Sequence, residues 1–215
     1  MVGQAGVNLP LILLLAILAG LLASGLRAWI NKQTLAIPRL RMIWLVVVAF
    51  IPQLILFYLP VFHIQVPRTA VAAALVVSQA GLLFFALANL RIPGFWLLSL
   101  GLSLNFLAIA LNGGLMPISP ETITRLIPEA LPGSWVIGER LGTGKDIVLP
   151  VGVTRLVWLS DRFILPLAPP FRVAFSIGDV FLAAGVFWAL WMLSRKELNH
   201  KRRNQPYVHD QLTIT

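Results

Sequence analysis

The sequence predicts an all-α polytopic membrane protein, with five transmembrane helices and a structured external segment between helices four and five. Three observations carry that prediction. Of the 215 residues, 58% are hydrophobic and 12% charged, where ordinary soluble domains run at about 45–50% and about 25%. The mean hydropathy is +0.86. Apolar stretches close to the roughly 20 residues that cross a bilayer core recur along the chain. Residues 1–215 read as one integral membrane domain with no soluble module.

The first span covers residues 7–26, uncharged until Arg27. A cleavable signal peptide would carry basic residues ahead of its apolar stretch, and residues 1–10 contain no Lys or Arg. The second span, 42–62, holds Pro52 beside Gln53 at its centre, and a proline there predicts a kink. After the turn containing His63 and Arg68, the third span runs over 69–90 and the fourth over 95–111, separated by Arg91 and Pro93-Gly94. The fifth covers 175–193 and leads into a polar tail, 194–215.

Charge then sets the orientation. The net charge is +9, and in a soluble protein a pI near 11.3 would suggest nucleic acid. In a membrane protein, basic residues mark the cytoplasmic side. With the N-terminus outside and the C-terminus inside, the inner segments collect Arg27, Lys32, Arg39, Arg41, Arg91, Arg195, Lys196, Lys201, Arg202 and Arg203, against only Glu197 and Asp210. The outer segment 112–174 is nearly balanced. The expected setting is a cytoplasmic membrane, the expected partners are the lipid bilayer and other membrane-protein subunits, and no nucleic acid is expected.

Chemistry, if present, belongs in the external segment. Asn112-Gly113-Gly114 ends the fourth helix with glycines suited to a left-handed cap. Ser119-Pro120-Glu121 reads as N-cap, first-turn proline and early acid of a short helix to about Ala130. The stretch 154–171 mixes Trp158 and Phe163 with charges and reads as an interfacial helix or re-entrant piece. The string GTGKD is not a phosphate loop: Glu139 stands where the first glycine belongs, and Asp146 follows Lys145. Without cysteine, and with histidines only at 63, 200 and 209, no metal site and no cofactor are expected.

Two aspartates remain. Asp179 is the one ionisable residue within a predicted span, which marks it as a candidate. Ser176 three residues earlier also gives it the spacing of a capping box. Asp161 lies 18 residues upstream on the same outer side. Two carboxylates sharing one proton can activate water as an acid–base pair. LSDRF at 159–163 and FSIGDVFLAAG at 175–185 resemble the aspartate motifs of lipoprotein signal peptidases, and that likeness implies Asp161 and Asp179 as a catalytic dyad. Trp158, Ser176 and Gly178 depart from those motifs.

Over most of the chain, the order of spans, LNGGLMPIS at 111–119 and SIGD at the last helix resemble a bacterial family of multi-pass membrane proteins of unknown function. The residues carrying the likeness are Asn112, Gly113, Gly114, Met116, Pro117, Asp161, Gly178 and Asp179. That resemblance implies a membrane location and no particular activity. The leading expectation is therefore a non-enzymatic accessory or scaffold component of a membrane complex. The alternatives are an intramembrane aspartyl hydrolase using Asp161 and Asp179, and a small-solute carrier or channel lined by Gln53, Gln79 and Asn105.

Overall fold

Twenty apolar residues before a charged turn should give one long helix, and in a computed structural model they do. The structure describes residues 11–58, 66–130, 133–167 and 172–195. Helix α1 is Leu11–Ile30 and α2 is Trp44–Gln53, continued by a π-helical turn at Leu54–Tyr58. Then come α3 (Arg68–Ala88), α4 (Phe95–Leu111), the short α5 (Pro120–Leu126) and α6 (Ile177–Trp191). Strand β1 (Thr34–Leu35) pairs antiparallel with β6 (Ser194–Arg195). Strand β2 (Met116–Ile118) pairs in parallel with β3 (Asp146–Val148), and β4 (Phe163–Leu165) antiparallel with β5 (Val173–Phe175).

The five-span, all-α expectation is corrected by these elements. Among the described residues there are six α-helices and three two-stranded sheets. Among the described residues two helices are long and apolar enough to cross a membrane, α1 with 20 residues and α3 with 21, each with a most apolar stretch of mean hydropathy 2.2. Only 17% and 28% of their most apolar stretches are buried within the chain, unlike the core helices of a soluble protein. Length is what removes the others. Pro52 lies inside α2, which ends at Gln53 after 10 residues, because proline lacks the N–H that the helix ladder needs. Helix α6 starts only at its cap, Ser176, and turns away after 15 residues, about 22 Å at 1.5 Å per residue.

Several finer expectations also shift. The helix expected to reach Ala130 ends at Leu126. The interfacial helix expected over 154–171 is instead a 3₁₀ turn at Val157–Leu159 followed by the β4–β5 hairpin. The expected turn around His63 and the tail beyond Arg195, with His200 and His209, lie outside the described residues.

The helices stand side by side in the order α1, α6, α4, α3, α2. Helices α4 and α6 are antiparallel and approach through paired glycines seven residues apart on each. A Cβ at Gly101 would lie 2.6 Å from the Gly178 carbonyl oxygen, and one at Gly185 would lie 2.7 Å from the Leu98 nitrogen and 2.9 Å from the Gly94 oxygen. Only a hydrogen side chain permits such backbone contact. A Cβ at Gly20 would likewise meet Leu190 at 2.9 Å, so α1 packs closely against α6 at this glycine.

The segment beyond α4 forms a head. Ile118, Ile123 and Val148 make its small core. Leu115, Met116 and Ile147 join Val71, Leu75, Ala108 and Ile109, fusing the head to α3 and α4. The opposite end of the molecule holds the ends of α1, α3 and α6 and the starts of α2 and α4, closed by β1–β6.

Candidate functional site

The residues singled out in the sequence converge where the head meets α4 and α6. Helix α4 stops at Asn112, whose side chain donates to Ala108 O and Arg155 O (both 2.8 Å) and accepts Arg155 N–H (2.9 Å). Asn112 thus ties the helix end to a loop 43 residues away. Gly113 and Gly114 follow with φ of +80° and +82°, the left-handed region where a side chain is disfavoured. At Gly114 a Cβ would also stand 2.6 Å from the Cβ of Ala72. The turn delivers Met116 and Pro117, both buried, into β2.

Lys145 reaches the same place through a hairpin. Arg140 pairs with Ile147 across it, and the Arg140 guanidinium closes the Gly142–Gly144 turn by donating to Thr143 O (2.6 Å) and Gly144 O (3.0 Å). The Lys145 carbonyl accepts Met116 N–H at 3.0 Å. Its ammonium nitrogen lies 2.5 Å from Asp161 Oδ2 and 3.1 Å from Asp146 Oδ1. Asp161 is held by its own backbone, which donates to Pro117 O at 3.0 Å beside Ile118.

The β4–β5 hairpin closes the sequence gap between the two aspartates. Phe163 pairs with Phe175, and Arg162 N–H donates to Phe175 O at 3.2 Å, so the chain leaving Asp161 returns directly to Ser176. There the expected capping box is present. Ser176 Oγ accepts Asp179 N–H (3.1 Å), and Asp179 Oδ2 accepts Ser176 N–H (2.9 Å). Asn105, from α4, donates to Asp179 Oδ1 at 2.9 Å, and its own Oδ1 lies 2.9 Å from Ser176 Oγ. Gly178 leaves the space that Asn105 fills.

Electrostatics bind the group into one unit. Burial opposes the charge on Lys145, but Asp146, Asp161 and Asp179 outweigh it and hold the ammonium well above its ordinary range. Asp161 is 1% exposed. Burial, with Asp146 and Asp179 nearby, raises its carboxyl well above the usual carboxylate range against the pull of Lys145. Three acids around one ammonium leave surplus negative charge in a poorly solvated place, which favours retaining a proton. Asp161 Oδ1 is buried with no hydrogen-bond partner among the described residues.

This arrangement differs from a free dyad. Asp179 spends Oδ1 on Asn105 and Oδ2 on its helix cap, and Asp161 spends Oδ2 on Lys145. Lys145 and Asn105 were not foreseen as members. Lys145 appeared only inside a rejected phosphate-loop string, although it is the lysine among the acids of the external segment. Among the described residues, no three His, Cys, Asp or Glu side chains are placed to hold a metal. Gln53 Nε2 and Gln79 Oε1 are buried without partners among the described residues.

A family model matches residues 38–191, more than half of the chain and everything from the loop before α2 to the end of α6. The chain belongs to DUF5317, a family of unknown function. No curated protein and no solved structure matches it. The DUF5317 region contains the whole Lys145–Asp161–Asp179 cluster, and α1 precedes it.

Proposed function

We propose that this DUF5317 protein is a membrane-embedded accessory component of a larger membrane complex, with its head as the docking face. The observation that carries the reading is the head's apolar exposure. Val136, Ile137, Val153 and Trp158, all in the head, are 62%, 61%, 65% and 69% exposed, and exposed apolar surface of this kind marks interaction sites. The polar cluster supports it from the other side, because each aspartate is already engaged, Asp161 with Lys145 inside the head and Asp179 with Asn105 between α6 and α4. The membrane setting rests on α1 and α3. The basic residues of the head are nearly balanced by its acids, whereas those at the opposite end face no described carboxylate, and that net positive charge supports a cytoplasmic membrane with the head outside.

The test is native mass spectrometry of the full chain extracted in mild detergent. A defined complex is expected, lost in Ile137→Asp and Val153→Asp but kept in Asp161→Asn. A clean monomer in wild type, or complexes indifferent to those substitutions, would sink the proposal.

One observation favours a second reading, an aspartyl hydrolase. Asp161 keeps an unpartnered buried oxygen and a raised carboxyl, as an acid–base residue would. Cleavage of a membrane peptide by wild type and its loss in both Asp161→Asn and Asp179→Asn would establish it. Equal turnover by the variants would end it.

A further inference from the structure

The end opposite the head holds a cavity of about 200 Å³ lined by Arg39, Arg41, Ala88, Asn89, Arg91 and Ile92. Positive charge on a cytoplasmic loop normally needs no further explanation. Three features of this place exceed that default.

The first is the charge arithmetic. Every Asp and Glu among the described residues belongs to the head or to the start of α6, so no described carboxylate lies near these three guanidinium groups.

The second is the way the cavity wall is built. Asn89, only 3% exposed, accepts Arg41 N–H at 2.8 Å and donates to Arg41 O at 2.9 Å and to Phe85 O at 2.8 Å. Its amide thus grips the backbone of Arg41 from both sides, as a neighbouring strand would. The next residue, Met42, is held at φ +54°, a conformation that a side chain with a Cβ rarely adopts. Such strain persists only where surrounding structure over-determines it, and it gathers at ligand clamps. Arg39, Arg41 and Arg91 line the cavity beside this clamp.

The third is the level at which the cavity sits. Trp29, Trp44 and Trp96, at this same end, are 79%, 57% and 50% exposed. Tryptophan collects where a bilayer's apolar core gives way to its headgroups.

We propose that this cavity binds the phosphate of an anionic phospholipid headgroup, with Arg39, Arg41 and Arg91 as its ligands. Guanidinium groups present paired N–H donors that match phosphate oxygens bidentately. Ala88 and Ile92 give the headgroup's glycerol side an apolar wall. Asn89 is a positioning residue, since its amide is already spent on the backbone. The inference rests on the membrane setting proposed above and is independent of the docking face.

The test titrates the detergent-solubilised full chain with phosphatidylglycerol, phosphatidylcholine and inorganic phosphate, read by native mass spectrometry and by thermal unfolding. Phosphatidylglycerol is expected to remain bound and to raise the unfolding temperature, while phosphatidylcholine does neither. Arg39→Gln/Arg41→Gln/Arg91→Gln should weaken phosphatidylglycerol by about tenfold or more, as loss of charge-assisted bonds implies, with its unfolding in phosphatidylcholine unchanged. Arg27→Gln/Lys32→Gln, charge changes at the same end, should leave binding within about twofold.

Equal binding of the two lipids would overturn the proposal, as would an equal loss in the Arg27/Lys32 variant, which would mean diffuse charge. Displacement of phosphatidylglycerol by millimolar inorganic phosphate would reassign the cavity to a soluble phosphate. Carbonate washing separates this failure from failure of the setting. A chain that stays in membranes yet ignores phosphatidylglycerol loses only the cavity, and a chain that washes off loses the membrane reading too.

Discussion

At the residue scale, Lys145 and Asp161 decide how the head holds together. The Lys145 side chain is 34% exposed and that of Asp161 2%. Lys145→Met should therefore cost about 1–3 kcal/mol, the desolvation of a buried acceptor left unpaired. Asp161→Asn should cost less, because it removes the surplus charge along with the pair. The pH dependence has a definite sign. Asp161 is raised in the folded state. Its contribution is therefore full below an unfolded value of about 3.9 and is lost as pH rises through the elevated folded value. Unfolding scans in detergent from about pH 4 to about pH 8 should show wild type losing stability with rising pH and Asp161→Asn nearly flat. A flat wild-type profile would remove the raised carboxyl from the account. Lys145, also raised, contributes throughout that window and fails only in strong alkali. The capping box at Ser176–Asp179 was legible because its partners are three residues apart. Lys145 was not legible, because its bond to Asp161 spans 16 residues and exists only once two hairpins have formed.

At the element scale, glycines set the spacing of the helices. Ala at Gly101 would meet the Gly178 oxygen at 2.6 Å and the Leu182 nitrogen at 2.8 Å. Backbone atoms cannot step aside as a side-chain tip can, so Gly101→Ala and Gly185→Ala should each destabilise by about 1–3 kcal/mol. Gly25 of α1 has nothing within 4 Å of its Cβ position. There the helix preference of alanine should act alone, and Gly25→Ala should be neutral or stabilising by up to about 1 kcal/mol. Chemical unfolding in micelles distinguishes the three variants; equal effects would mean that the α4–α6 contact is not glycine-limited. The uncharged run that becomes α1 was legible in the sequence. The seven-residue pairing of Gly94 and Gly101 with Gly185 and Gly178 was not, because it requires knowing that α4 and α6 are antiparallel neighbours. Pro52 was read as a kink, and the structure makes it the end of regular α-helix, with a π-helical turn beyond.

At the scale of the whole molecule, charge is polarised between two ends. The described carboxylates gather in the head and at the start of α6, while Arg27, Lys32, Arg39, Arg41 and Arg91 sit at the far end. The natural absence of cysteine makes this testable without background. Thr143→Cys in the head and Lys32→Cys at the far end are both at exposed positions. A membrane-impermeant maleimide applied to intact cells should label the first and not the second, and labelling of both or neither would refute the proposed orientation. The sequence by itself determined the apolar character, the polarity of charge and the local signals at Asn112, Ser119 and Ser176, because composition and short spacing act within one turn of chain. Tertiary structure alone decided how many helices reach spanning length, because caps, a proline and strand pairing cut apolar runs that hydropathy reads as continuous. It also decided that Lys145, Asp161 and Asp179 form one electrostatic unit, because the field between charged groups follows distance in space, and backbone pairing with β2 together with the β4–β5 hairpin sets those distances.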